Sequence, residues 1–517
     1  MYLGDIEVWR TSTAEPEPHP GIVWTLRKDF TPYLSLWREP QNLIFELGNL
    51  INDKYTGAFN TTLTATFFQS DTLGPNGVSA DTILPISARR GADEKGSAFI
   101  YPEAPAETVL TLPRNINRGI MTISATGQAG EEFWWSNVPE KDKNIFNTEA
   151  GPLPGLSSYR EVQVRIDNQL AGLVQPFPVV FTGGIAPPLH RPVVGLQAFD
   201  LREHEIDISP FLGLLCDGKE HTFRLDVVGV DDSNGTDTLV PVPMHWALTG
   251  KLFLWLDEQG AQTIGSAPNI SMPEFDYSAE SIMEDGTVFI RQSVKRSLHA
   301  VASVTTQQGS KLRAWRQSIS MGSDSALSNV GDTQYVRGRY EQTDLSSVDQ
   351  AVAFTTNTSY PIHSDSTYQA PDGDYDFSIR AALLSAMTIN LIGQHVFPVG
   401  LEPFIQSGGE SWNETTIDTL RLGAAFFYSK NGGNSSGGSG NTNQSYSLTS
   451  TKPLYMRYVS VINETTVQDR EFVLKGRQSP DIVVDANDSG AARQSNMDGS
   501  SPWPNLVHKK LSIWPER

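Results

Sequence analysis

A single cysteine, Cys216, occurs in 517 residues, so no internal disulfide can form. Its setting, Leu214-Leu215-Cys216-Asp217-Gly218, reads as a buried structural thiol rather than a nucleophile. Positive charge is also short: 39 Lys and Arg against 59 Asp and Glu leave a formal net charge of −20. Such a surface lacks the cationic footprint that nucleic-acid phosphates demand, and anionic lipid repels it, which argues against nucleic-acid and membrane partners. No apolar run approaches the ~20 residues of a membrane helix. No signal peptide is visible, because Met1-Tyr2-Leu3-Gly4 leads straight into a strand. The nine histidines are scattered, without a His-x-x-x-His pair, so neither a metal nor another cofactor is called for.

What the chain does have is strand chemistry. Its 43 Gly and 32 Pro punctuate short runs rich in β-formers, among them Val162, Val164 and Ile166 before a turn at Asp167-Asn168, Phe253–Leu256, Thr287–Ile290 and Tyr455–Val459. The only plausible helix is short, around Arg380–Leu384. Two octapeptides, Asp29–Leu36 (DFTPYLSL) and Asp207–Leu214 (DISPFLGL), match without a gap, and the register runs on to place Phe45 opposite Phe223 and Leu47 opposite Leu225. Each copy reads as an aspartate-started turn, a short connection and a strand, at a domain-sized offset. Two tandem domains of one ancestral β-sandwich follow, at 1–102 and 103–260. A Pro/Ser/Glu-rich joint from Ser266 to Asp285 leads into a third β-rich region at 275–517, where Gly432–Gly440 reads as a flexible loop tip or linker. Its formal G-x-S-x-G at Gly433, Ser435 and Gly437 has no strand before and helix after it, so it is not a nucleophile elbow.

Two segments are loaded with chemistry. Gly4–Pro16 (GDIEVWRTSTAEP) sets Asp5, Glu7 and Glu15 beside Trp9 and Arg10, either as a plain strand and turn or as a polar, aromatic-rimmed site where a strand ends. Glu131-Glu132-Phe133-Trp134-Trp135 puts two acids against three aromatics. If extended, the two glutamates point to opposite faces, with Glu132 on the face of Trp134. Aromatic burial raises a carboxyl pKa and readies it to donate a proton, although a solvated Glu pair beside a core aromatic cluster has the same sequence signature. Asp372-Gly373-Asp374-Tyr375-Asp376 reads as an acidic turn rather than a calcium loop. Nine Asn-X-Ser/Thr sequons, including Asn60, Asn234, Asn357 and Asn463, tilt toward a secreted protein.

These blocks, with Gly21–Trp24, Lys28–Tyr33, Asp53–Gly57, Phe181–Gly184 and Ala198–Glu203, resemble in order the almond-type peptide-N4-(N-acetyl-β-glucosaminyl)asparagine amidases. The resemblance is dense over residues 1–250 and thinner beyond. It implies an all-β architecture of two tandem antiparallel jelly-roll sandwiches plus the C-terminal β-rich region, and a hydrolase that cuts the amide between GlcNAc and asparagine. N-glycans on glycopeptides or glycoproteins are then the substrate partners, and the setting is secreted or an acidic secretory or vacuolar compartment. Glu132, with Glu131 beside it, matches the family's catalytic carboxylate. Trp134 and Trp135 would stack on sugar, Arg10 would clamp the glycan or polarise the carbonyl unless it pairs with Glu7 or Glu15, and Glu15 and Arg191 would bind substrate. His190, in the same loop as Arg191, reads as structural or solvated. Two departures stand out. Ser124-Ala125-Thr126-Gly127 replaces the family's Ser-Gly-His-Gly, and the water-activating aspartate belongs upstream of Gly4, where a separate N-terminal fragment would have to supply it. The alternative is a catalytically inactive glycan-binding jelly-roll protein.

Overall fold

The computed structural model describes residues 1–15, 22–26, 28–48, 51–53, 56–67, 79–192, 202–273, 275–370, 376–397, 414–433, 435–450, 453–473 and 481–482. Nearly all regular structure in them is antiparallel strand, so the fold is all-β. A three-stranded sheet carries β1 (Tyr2–Leu3) between β2 (Ile6–Glu7) and β3 (Leu43–Ile44). A five-stranded sheet follows, built from β4 (Thr82–Ile86), β5 (Phe99–Tyr101), β7 (Ile116–Gly127), β10 (His204–Asp207) and β13 (Trp246–Leu256). A second one holds β6 (Ala106–Thr111), β8 (Glu161–Ile166), β9 (Gln169–Val174), β11 (Glu220–Asp231) and β12 (Thr238–Pro241). The two five-stranded sheets pack through apolar faces. A Cβ added to Gly172 in β9 would lie 2.5 Å from Ile206 Cδ1 in β10, so only glycine lets them approach this closely. Residue 102 falls between β5, which pairs with β13, and β6, which pairs with β11, so β4 and β5, from before it, complete a sheet whose other strands come from after it.

The local chemistry of the repeat is visible in both copies. Asp29 Oδ1 accepts the Thr31 N–H at 2.8 Å, and Asp207 Oδ1 accepts the Ser209 N–H at 2.8 Å. Each aspartate thus closes an Asx turn, and a proline at the first positions leads into a 3-10 turn that forms the short connection. The copies then diverge: Phe223 is buried in β11, whereas Phe45 lies beyond β3 and is exposed.

The C-terminal region is one large meander. The strands β14 (Ile264–Gly265), β15 (Asn269–Ser271) and β16 (Asp276–Glu284) all pair with β17 (Thr287–Thr306). From there the order runs through β18 (Gly309–Ser328), β19 (Thr333–Val348), β20 (Ala351–Gln369), β21 (Phe377–Gly393), β22 (Glu414–Lys430), β23 (Ser435–Thr449), β24 (Pro453–Ile462), β25 (Thr465–Val473) and β26 (Asp481–Ile482). At about 3.3 Å per residue, β17 is ~65 Å long. Burial alternates along these strands, so one face covers the sandwich and the other faces outward. The hairpin loops Asp167-Asn168, Asp349-Gln350 and Asn463-Glu464 each have two positive φ angles, the backbone that matches strand twist.

Sheet pairing redraws three segments. Arg380–Leu384 is not a helix but part of β21, where Ala381, Leu383, Ser385 and Met387 alternate into the buried face between two partner strands. Sheet context overrides the helix preference of Ala and Leu. The joint at Ser266–Asp285 is largely β15 and β16, and the glycine-rich Ser435–Gly440 is the start of β23, paired with β22. Most of Asp372–Asp376 lies outside the described residues.

The large sheet docks through glutamines. Gln317 in β18 accepts from Leu173 N at 2.7 Å and donates to Leu173 O at 2.7 Å. Gln342 in β19 accepts from Gln175 N at 2.7 Å and donates to Leu173 O at 3.0 Å. These side-chain amides satisfy the exposed edge of β9 as another strand would. Asp344 Oδ1 accepts from both glutamine amides, at 2.8 Å each, and fixes their orientation.

Candidate active site

The Glu131–Trp135 segment is not extended. It forms two successive 3-10 turns, Ala129–Glu131 and Trp134–Ser136, so the two glutamates separate by helical rather than strand geometry. Glu131 turns inward and is buried. Its carboxylate takes Arg160 Nε at 2.6 Å and Nη2 at 2.9 Å, and Trp246 Nε1 donates to it at 3.1 Å. Arg160 Nη1 spends its remaining protons on backbone carbonyls of Leu156, Ser157 and Tyr159. Glu131 is thereby a buried structural ion, with no lone pair turned to solvent chemistry. Trp134 and Trp135 are each only 2% exposed, and Trp134 packs on Trp246 and Tyr340, so neither ring face is open to a sugar.

Arg10 is also committed. It holds Glu7 through two bonds of 2.7 Å and donates to Thr126 Oγ1 at 3.0 Å and Ala247 O at 2.8 Å. Thr126 serves as an acceptor for Arg10. Burial pushes the Glu7 carboxyl up, but the Arg10 charge and hydrogen bonds outweigh burial and hold it at about 2. Lys251 ties this pair to the sandwich, donating to Glu7 O at 2.6 Å and to Glu203 at 2.7 Å.

Glu132 differs from all of these. It is half-buried, and among the described residues its carboxylate has no hydrogen-bond or ion-pair partner. Burial alone raises its pKa. The element it faces is the loop Phe181–Gly184: a Cβ on Gly184 would stand 3.5 Å from Glu132 Oε1. A Cβ on the neighbouring Gly183, whose φ is +87°, would stand 2.8 Å from Glu15 Oε2. Ser12 Oγ and Thr182 Oγ1 meet at 3.3 Å, which ties the N-terminal segment to the same loop. Arg191 completes the group, 3.2 Å from Glu15 and 3.7 Å from Glu464 in the loop between β24 and β25. Burial raises the Glu15 pKa, the Arg191 charge opposes that, and Glu464 adds to it.

The loop therefore gathers Glu132, Glu15 and Arg191 from the expected residues and leaves Glu131, Trp134, Trp135 and Arg10 to the scaffold. Sequence reasoning quoted Phe181–Gly184 as a motif but gave it no task. The signal was the adjacent glycine pair, which lets two carboxylates approach one backbone. Of the two sequence readings of His190, structural or solvated, the structural one fits its burial. The ring is buried, and Nε2 lies 2.9 Å from Gly184 O. Among the described residues no group of His, Cys, Asp and Glu is arranged to hold a metal ion.

The family model for peptide N-acetyl-beta-D-glucosaminyl asparaginase amidase A matches residues 1–272, and that for the PNGase A C-terminal domain matches residues 290–362. Peptide-N4-(N-acetyl-beta-glucosaminyl)asparagine amidase A of Prunus dulcis is 33% identical over 353 residues, which is 65% of this chain and 58% of that enzyme. The chain thus spans less than two thirds of the almond enzyme's length. No solved structure matches it. The chain belongs to the peptide N-acetyl-β-D-glucosaminyl asparaginase amidase A family.

Proposed function

We propose that this protein is a glycoamidase that hydrolyses the amide linking GlcNAc to asparagine in N-glycopeptides or glycoproteins. Water adds to the side-chain carbonyl carbon, the bond from that carbon to the amide nitrogen breaks, and the nitrogen takes up a proton and leaves with the sugar. The products are an aspartyl peptide and a glycosylamine, which decays in water to the free sugar and ammonia. One observation carries the assignment of Glu132: a half-buried carboxyl, raised by burial and without a partner among the described residues, faces a glycine loop. Burial keeps such a group protonated to higher pH than an ordinary carboxyl, which fits the donor to the leaving nitrogen. Glu15 and Arg191, on the other glycine of the loop, fit substrate binding, with Arg191 suited to a carbonyl or sugar oxygen. A proton donor of this kind fits an acidic secretory or vacuolar setting.

Glu132→Gln is the test. The variant is expected to lose turnover by about 100-fold or more while still binding an N-glycopeptide, because the amide keeps the shape but cannot donate an acid proton. Turnover at the wild-type rate removes Glu132 from the chemistry. Binding by both proteins with no aspartyl product from either supports the inactive glycan-binding reading.

A further inference from the structure

Arg421 is an anomaly of the large sheet. It projects from β22 into the face that covers the sandwich, is 2% exposed, and pairs with no carboxylate among the described residues. Among the described residues its Nε has no hydrogen-bond partner. The other two nitrogens reach a single loop: Nη2 donates to Val180 O at 3.2 Å and Nη1 lies 3.2 Å from His190 Nδ1. Burying a guanidinium without a counter-charge is costly, and the contacts it makes must offset that cost.

They lead to the glycine loop. A guanidinium can only donate, so His190 Nδ1 must carry a lone pair, and Gly184 O can only accept, so His190 Nε2 must carry the hydrogen. His190 is thus fixed as one neutral tautomer with both ring nitrogens used. Burial and the Arg421 charge depress its pKa to about 3, in accord with that geometry. Gly184 O also accepts the Ala186 N–H at 2.8 Å, which closes a three-residue turn around Ile185 at φ +64°. A β-branched residue at positive φ is strained and needs outside support to persist. The turn it strains is the one that sets Gly184 against Glu132.

The rest of the sheet holds the same loop. Thr442 Oγ1 donates to Leu189 O at 2.9 Å, and Gly440 meets Pro188 so closely that a Cβ would lie 2.1 Å from Pro188 O. Gly438 and Gly440, within the run that composition marks as a linker, leave room for this loop.

We propose that Arg421 is a positioning residue for catalysis: through His190 it clamps the strained Gly184 turn, and so the C-terminal sheet sets the loop geometry facing Glu132. This rests on Glu132 being the catalytic carboxyl. Arg421→Met and His190→Leu are expected to lower kcat about 10- to 100-fold with KM nearly unchanged, because a displaced loop misaligns the reacting groups without removing a substrate contact. His190→Gln keeps an amide donor for Gly184 O and an acceptor for Arg421, so it is expected to restore most of the rate. In the wild-type protein, imidazole nitrogen NMR is expected to show the Nε2–H tautomer of His190 throughout pH 5–8, and in Arg421→Met a tautomer mixture. A folded Arg421→Met with wild-type kcat overturns the clamp, as does a His190→Gln no better than His190→Leu. If Arg421→Met does not fold, the His190 pair and the wild-type spectrum decide: titration of His190 between pH 5 and 8 overturns the proposal. A Glu132→Gln variant at wild-type rate, with the His190 signature intact, removes Glu132 and leaves the clamp geometry standing.

Discussion

Asp344 gives the sharpest test of how the C-terminal sheet is attached. It is buried at 3% exposure between Gln317 and Gln342, and among the described residues no cation forms an ion pair with it. Burial raises its pKa from 3.8 to about 7, against the lowering effect of the two glutamine hydrogen bonds. The folded protein therefore binds a proton at Asp344 that the unfolded chain releases near pH 4. Stability from this group falls as pH rises from about 4 to 7, and the accumulated loss is about 4 kcal/mol, at 1.4 kcal/mol per pH unit. Asp344→Asn mimics the protonated acid: its oxygen still accepts from both glutamines and no charge forms at high pH. Urea unfolding followed by tryptophan fluorescence, from pH 4 to 8, is expected to show the two proteins nearly equal at pH 4. The variant should then gain steadily and stand several kcal/mol above wild type at pH 7 and beyond. Parallel pH curves, or a variant weaker by a constant amount, would refute a buried neutral Asp344.

Two other outcomes follow from the buried ions. Glu131→Gln leaves Arg160 charged and uncompensated, and is expected to cost about 3–5 kcal/mol in denaturant unfolding. Glu132→Gln should cost almost nothing in the same assay, although only the latter acts at the proposed chemistry. Glu7 and Glu205 are both held at about 2 despite their burial: Arg10 outweighs it for Glu7, and His395 with Arg202 for Glu205. Their stabilisation is complete above about pH 4.5 and lost as pH falls toward 2, roughly 3 kcal/mol each. Acid unfolding should therefore shift to higher pH in Glu205→Gln, and an unmoved acid limb would contradict the pairing.

Local features of the fold were legible because they depend on short-range chemistry. The turn at Asp167-Asn168, the alternation of Val162, Val164 and Ile166, and the buried Cys216 all follow from residues next to one another. Arg380–Leu384 misled because its Ala and Leu content favours helix in isolation, and only the flanking strands β20 and β22 decide otherwise. Within Gly432–Gly440 the loop-tip reading holds for Gly432 and Gly433, which turn the hairpin, but flexibility and close approach call for the same residue, and Pro188, about 250 positions away, is the reason for Gly438 and Gly440. At the candidate site the sequence marked Glu132, Glu15 and Arg191 but could not separate them from Glu131, Trp134, Trp135 and Arg10. That separation is a matter of which way each side chain turns. Arg160, Trp246 and Thr126 decide it, and none of them is near in sequence to all the residues it captures. Arg421 carried no sequence signal: one arginine in a strand becomes informative only when it is buried with no carboxylate beside it.

The central claim is that the amide nitrogen leaves with the sugar. An N-glycopeptide incubated with the protein in heavy-oxygen water, with the peptide then weighed, tests it directly. The account predicts an aspartyl peptide carrying one heavy oxygen, with ammonia released as the glycosylamine decays. A peptide that keeps its asparagine, bare or with one GlcNAc still attached, would mean cleavage at a sugar bond and would contradict the amidase reading.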